Sequence, residues 1–177
     1  KTPNPAETTQ TNNGGGDVVR NLKLSSQLMG REMPYRVVVP TDYDTKTGDR
    51  YTVVYLLHGL TGHFNDWTDA GKITELAAKH NVILVTPEGN DGWYSDKAND
   101  RYESYIVKEL IPEIDKSFRT FPDRERRVIA GLSMGGYGAL RYALAYPELF
   151  SAALVLSPAV YTPLPPADSS TREFGAF

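Results

Sequence analysis

The sequence predicts an α/β domain built on a mostly parallel, doubly wound sheet that is entered through an antiparallel pair of strands. Three observations carry this. From residue 51 onward, short β-branched runs alternate with helical patterns, the order that right-handed βαβ units produce. The runs 51–57 (YTVVYLL) and 82–85 (VILV) are apolar without alternation, as in strands buried on both faces of a parallel sheet. Ahead of them, residues 18–28 and 35–40 read as two strands, and 41–50 (TDYDTKTGDR) reads as a polar, hairpin-type connection.

Residues 1–16 (KTPNPAETTQTNNGGG) carry no large apolar side chain, so they cannot form core and are expected to be a disordered, flexible tail. The domain is expected over 17–160. Ile73, Leu76, Ala77 and His80 follow helical spacing, and Asn81 closes that helix before the strand 82–85. In 105–118 (YIVKELIPEIDKSF), Ile106, Leu110, Ile114 and Phe118 share one helical face, and Pro112 should kink or shorten the helix. A strand over 127–130, a helix over 136–145 ending near Pro147, and a sixth strand over 152–156 complete the alternation. No internal repeat is visible.

The chain has 177 residues, of which 40% are hydrophobic and 23% charged, which fits one soluble domain. At that length about 70% of the unfolded surface leaves water on folding, enough for a core without staples. The absence of Cys excludes disulfides, Cys-ligated metals and a thiol nucleophile. Nineteen Lys and Arg against 22 Asp and Glu give a net charge of -3 with no basic block, so nucleic acid is not an expected partner. No apolar run approaches the ~20 residues that span a bilayer. The chain starts at Lys1 rather than Met and lacks a signal-peptide profile, so an upstream segment is expected to have been removed by processing or by design. A polar leader of this kind often follows an export signal; a secreted or periplasmic location is expected, with a cytoplasmic one as the alternative.

The chemistry centres on Gly131-Leu132-Ser133-Met134-Gly135, a G-x-S-x-G motif between a β run and an amphipathic helix. There the serine can occupy a tight strand-to-helix turn, and glycines flank it because side chains would collide with neighbouring backbone. The helix N-terminus adds free N–H groups and a positive dipole end for a developing oxyanion. A second donor is expected from His58-Gly59-Leu60-Thr61-Gly62, which follows the strand 51–57 at the carboxyl edge of the sheet, with Leu60 N–H chosen beside Met134 N–H. No cofactor or metal is implied.

The ordered blocks YRVVVP, YLLHGLTG, NDW, VTPEG, GWYSD, YIVKELIP and RVIAGLSMGGYGALRYALAYPELF resemble the esterase D-like esterases, a group of α/β-hydrolases. That group includes feruloyl and acetyl-xylan esterases, S-formylglutathione hydrolases and the antigen 85 mycolyltransferases. The resemblance covers about 17–160 and implies an α/β-hydrolase fold, Ser133 as nucleophile, and the Leu60 and Met134 backbone as oxyanion hole. It also implies substrate-binding positions at His58, Gly59, Thr61, Trp67, Trp93 and Tyr94, the three aromatics as cleft walls or ordinary core. A histidine or aspartate at the position of His58 serves the structure of the loop in that group.

In this fold the triad runs Ser, then Asp or Glu, then His. Here His58, His63 and His80 all precede Ser133, and the acids after it are Glu148, Asp168 and Glu173, none at a strand end. The chain therefore looks cut after its sixth strand. His63 is a weak substitute base because a base must come within about 3 Å of the serine oxygen, and His80 reads as a helix-end cap. Residues 161–177 read as the start of a lid with Phe174 and Phe177 as anchors, or as a disordered end. The expected function is serine carboxylic-ester hydrolysis on small or carbohydrate esters. An acyltransferase and a non-catalytic remnant are the alternatives. The strand 152–156 (AALVL) has neither charge nor Pro to blunt its free side. A complementing fragment carrying the Asp and His, or a second copy, is expected along it.

Overall fold

A computed structural model describes residues 9–12, 18–71, 73–164, 166 and 168. Its strands are β1 (Thr9–Asn12), β2 (Val18–Ser26), β3 (Arg31–Val39), β4 (Thr52–Leu57), β5 (Val82–Pro87), β6 (Arg127–Leu132) and β7 (Ala152–Leu156). They form one sheet in the order β1-β2-β3-β5-β4-β6-β7. The pairs β1–β2, β2–β3 and β3–β5 are antiparallel, and β5, β4, β6 and β7 are parallel to one another. This is the expected mixed α/β sheet with an antiparallel start.

Two local expectations are corrected. The tail was expected to lack structure, yet Thr9–Asn12 pairs with β2, Thr9 opposite Asn21 and Asn12 opposite Val18. Edge pairing uses backbone N–H and C=O groups and needs no apolar side chain, so composition does not reveal it. Residues 1–8 and 13–16 lie outside the described residues. The stretch 41–50 is not a hairpin, because β5 lies between β3 and β4. It is pinned through Tyr43, which is buried and carries the Arg119 guanidinium 3.8 Å from its ring centroid.

Helices cover both faces. On one, α3 (Tyr102–Tyr105), a π turn over Ile106–Leu110 and α4 (Ile111–Ser117) run on from one another. With α5 (Met134–Ala145) they bury Tyr105, Ile106, Leu110, Ile114 and Tyr142 against Val37, Val53, Tyr55, Leu57 and Ile129. The helical segment begins ahead of the expected 105 because Asp96 receives both the N–H and the hydroxyl of Ser104, at 2.9 and 2.6 Å. The wider turn falls just before Pro112, whose missing N–H and bulky ring disrupt regular α geometry. On the other face lie α1 (Asp66–Asp69) and α2 (Ile73–His80), with Ile73 and Ala77 packed on Val19, Val38 and Leu84. Asn81, at φ +52°, ends α2 in the left-handed conformation that asparagine tolerates. Among the described residues no helix is long and apolar enough to cross a membrane.

One buried ion pair ties the start of β6 to α4. The Arg127 guanidinium donates to Asp115 Oδ2 at 2.7 Å and to the Leu149 carbonyl at 3.1 Å, and Thr120 Oγ1 donates to Asp115 Oδ1 at 2.6 Å. Asp115→Ala leaves Arg127 charged and without its carboxylate. The expected loss is about 3–5 kcal/mol in urea unfolding, and a loss under about 1 kcal/mol would show that solvent replaces the partner.

Candidate active site

Between β6 and α5 the backbone turns on one residue. Ser133 sits at φ +56°, ψ -114°, a conformation that is strained for any residue with a side chain. Several hydrogen bonds hold it there. Its N–H donates to the Leu156 carbonyl at 2.9 Å, and its carbonyl accepts from Tyr137 N–H at 2.9 Å and Ala159 N–H at 3.0 Å. The flanking glycines are required by contact. A Cβ on Gly131 would lie 2.1 Å from the Gly135 carbonyl oxygen, and one on Gly135 would lie 2.2 Å from that of Leu57. No residue heavier than glycine lets the start of α5 approach the end of β4 so closely.

The loop after β4 passes beside this serine. A Cβ built on Gly59 would stand 3.8 Å from Ser133 Cβ. Met134 opens α5, so its N–H has no partner within the helix, and Leu60 N–H follows Gly59 on the neighbouring strand end. Thr61 adopts φ +61° and donates its N–H to Asp91 Oδ1 at 2.8 Å, while Gly62 N–H closes a turn onto the Gly59 carbonyl at 3.1 Å.

Beneath the loop lies a buried carboxylate that sequence reasoning missed. Glu88 Oε1 meets His58 Nε2 at 3.1 Å and accepts from the N–H groups of Gly89 at 3.0 Å and Asn90 at 2.7 Å. Its Oε2 meets His63 Nδ1 at 3.2 Å and accepts from Phe64 N–H at 3.4 Å. Burial by itself would push this carboxyl up, but the His58 hydrogen bond and charge and the Asn90 and Phe64 N–H groups outweigh it and hold the group at about 2. The only signal in the sequence was an acid just past a buried apolar strand, at the same carboxyl edge as the serine turn.

The other expected site residues divide by burial. His58 is buried, its Nδ1 2.7 Å from the Gly59 carbonyl oxygen and its Nε2 engaged with Glu88 and Gly89 N–H. His63 is largely exposed. Among the described residues none donates to or accepts from Ser133 Oγ, and no group including these histidines could hold a metal ion. Trp67 lines a cavity of about 370 Å³ with His58, Gly59, Asp66, Ala70, Gly71 and Leu132. Trp93 and Tyr94 are 3% and 0% exposed, so of the two positions expected for them, cleft wall or core, they take the core. Tyr94 packs against Gly89 and Gly138 and donates to the His58 carbonyl at 3.3 Å, and burial pushes its phenol well up. Phe174 and Phe177 lie outside the described residues.

Residues 26–173 match the family model described as putative esterase. This chain belongs to that family. It is 31% identical over 150 residues to an acetyl esterase of Caldicellulosiruptor saccharolyticus, an alignment covering 80% of this chain and 56% of that protein. It is 30% identical over 196 residues to the S-formylglutathione hydrolase of Paracoccus denitrificans, covering 97% and 67%. Among solved structures, a ferulic acid esterase superposes with a TM-score of 0.75 at 31% identity, covering 81% of this chain and 61% of that one. The fluorophosphonate-binding serine hydrolase F of Staphylococcus aureus superposes with a TM-score of 0.76 at 27% identity, covering 81% and 58%. The fold is that of the α/β-hydrolase esterases, and the chain spans little more than half of several of these relatives.

The ionised Glu88 carboxylate is a measurable part of stability. Its folded value lies below the usual 4.5, so it contributes about 3 kcal/mol that is fully present above that pH and is lost as pH falls toward 2. Glu88→Gln is expected to flatten the decline of unfolding free energy between pH 5 and pH 2. Parallel profiles for the two proteins would remove Glu88 from the acid-sensitive groups.

Proposed function

We propose that this chain carries the nucleophile and oxyanion-binding part of a serine carboxylic-ester hydrolase acting on small or carbohydrate-borne acyl esters. The observation that supports it most is Ser133, a non-glycine residue held at φ +56° between β6 and α5 with the Gly59 loop alongside. Family membership and relatives named as acetyl and ferulic acid esterases support an ester as the substrate.

In the proposed reaction Ser133 Oγ attacks the ester carbonyl carbon while a histidine base takes its proton. The carbonyl oxygen becomes an oxyanion facing the N–H groups of Leu60 and Met134. Collapse expels the alcohol, which receives the proton from the imidazolium. Water then attacks the acyl-enzyme by the same path, releasing the carboxylic acid and restoring the serine. His58 has both ring nitrogens engaged, so the base and its orienting acid are assigned to a His and an Asp or Glu outside residues 1–177. The place proposed for them is along β7. Among the described residues that strand pairs only with β6, and Leu154 and Leu156 are 52% and 45% exposed. Beside it a groove of about 440 Å³ is lined by Tyr137, Leu140, Arg141, Leu144, Ala145 and Val160, with Leu144 75% exposed.

Ser133→Ala is expected to abolish both hydrolysis of 4-nitrophenyl acetate and covalent labelling by a fluorophosphonate; unchanged labelling ends the assignment. The 177-residue chain by itself is expected to keep only the oxyanion-hole and binding contributions, about 10³–10⁴ over water. A turnover number of about 10 s⁻¹, ordinary for enzymes, would move the base to His63. In light scattering the purified chain, free of any other fragment, is expected to associate, and a stable monomer at micromolar concentration would overturn docking along β7.

A further inference from the structure

We propose that Glu88 is the positioning residue of the oxyanion loop: its buried carboxylate clamps His58, His63 and Phe64 to the end of β5 and so fixes the Leu60 N–H beside Ser133. The proposal rests on the reading of Ser133 and Leu60 given above.

The loop from His58 to Phe64 has no regular secondary structure, contains Gly59 and Gly62, and turns through φ +61° at Thr61. Such a segment has many conformations open to it, and ordering it costs about 1–2 kcal/mol per residue. Its anchors converge on one group. The two oxygens of Glu88 take the His58 ring at the start of the loop and the His63 ring and Phe64 N–H at its end, while Oε1 also takes the N–H groups of Gly89 and Asn90 in its own strand-end turn. A carboxylate this deeply buried must be compensated. Here part of the compensation comes from the loop and part from Gly89 and Asn90, so the loop and the strand-end turn share one charged acceptor.

Three further straps act at single points. Asp91 holds the Thr61 N–H, Asp66 holds the His63 N–H at 3.1 Å, and Tyr94 reaches the His58 carbonyl. None grips both ends of the loop. A glutamine in place of Glu88 keeps the shape but removes the charge and exchanges one acceptor for an NH₂ donor, which faces the N–H donors the carboxylate oxygens now receive. The loop then loses one of its two grips. Catalysis is sensitive to this displacement, because removing one oxyanion donor costs about 10²–10³ in rate.

The test uses the full 177-residue chain and measures fluorophosphonate labelling of Ser133, amide exchange and thermal melting for the parent, Glu88→Gln, Glu88→Asp and Ser133→Ala. In Glu88→Gln the maximal labelling rate is expected to fall about 10- to 100-fold while the half-saturating probe concentration stays within about twofold. The Thr61 and Gly62 amides, which do not bond to Glu88, should exchange at least about tenfold faster while those of β4 and β6 are unchanged, and Glu88→Asp should recover part of the labelling rate. Equal labelling and equal loop exchange in Glu88→Gln overturn the proposal, as does faster exchange spread evenly through β4 and β6. If the parent is not labelled at Ser133, the outcome bears on the base assigned outside residues 1–177 and not on the clamp. The loop exchange then decides the clamp by itself, faster exchange confined to Thr61 and Gly62 supporting it and unchanged exchange overturning it.

Discussion

The contact of the α5 N-terminus with the end of β4 is the constraint on which the rest of the site depends. It is possible only because Gly135 presents no Cβ to the Leu57 carbonyl and Gly131 none to Gly135. With the helix seated there, the chain between β6 and α5 has a single residue in which to reverse, and Ser133 takes up the strain. Strain of this kind persists only where surrounding bonds over-determine it. Here they run to Leu156, Tyr137 and Ala159, so the end of β7 and the chain after it are part of the support. The same seating leaves the first N–H of α5 without a partner inside the helix, beside the serine, and sets Gly59 where a Cβ on it would be in van der Waals contact with Ser133.

A second constraint is electrostatic. The carboxyl edge of a parallel sheet is where loops converge, and loops carry few of their own bonds. Glu88 supplies an acceptor that two histidine rings and several N–H groups share, and for the buried His58 and the carboxylate itself the loss of a partner is costly. Tyr94 and Trp93 finish the floor. Their backbones both lie at positive φ, and both rings are buried, Tyr94 edge-on to the His58 ring and Trp93 against Tyr137. Rigid aromatics below and a shared charge within make an irregular loop behave as a fixed part of the fold.

The free side of β7 stands apart from this order. Buried strands in the sheet are flanked on both sides, whereas β7 carries exposed leucines beside an apolar groove on α5. It is the surface along which the proposed complementing segment would dock. The family relatives extend well beyond the length matched here.

What the sequence by itself determined is local: the order of strands and helices, the serine between a β run and a helix, and the glycines that must flank it. These follow from periodicity and from sterics between near neighbours, which single residues report faithfully. The strand β1 escaped notice because edge pairing is made by backbone, and 41–50 looked like a hairpin because sequence adjacency does not show that β5 inserts between β3 and β4. Glu88, Asp91 and the buried positions of Trp93 and Tyr94 were decided only by the tertiary structure. Whether an acid meets two histidines, or an aromatic ring faces a cleft or a core, depends on segments about 25 to 45 residues apart along the chain being brought together. That placement belongs to the packed sheet and not to any stretch of it.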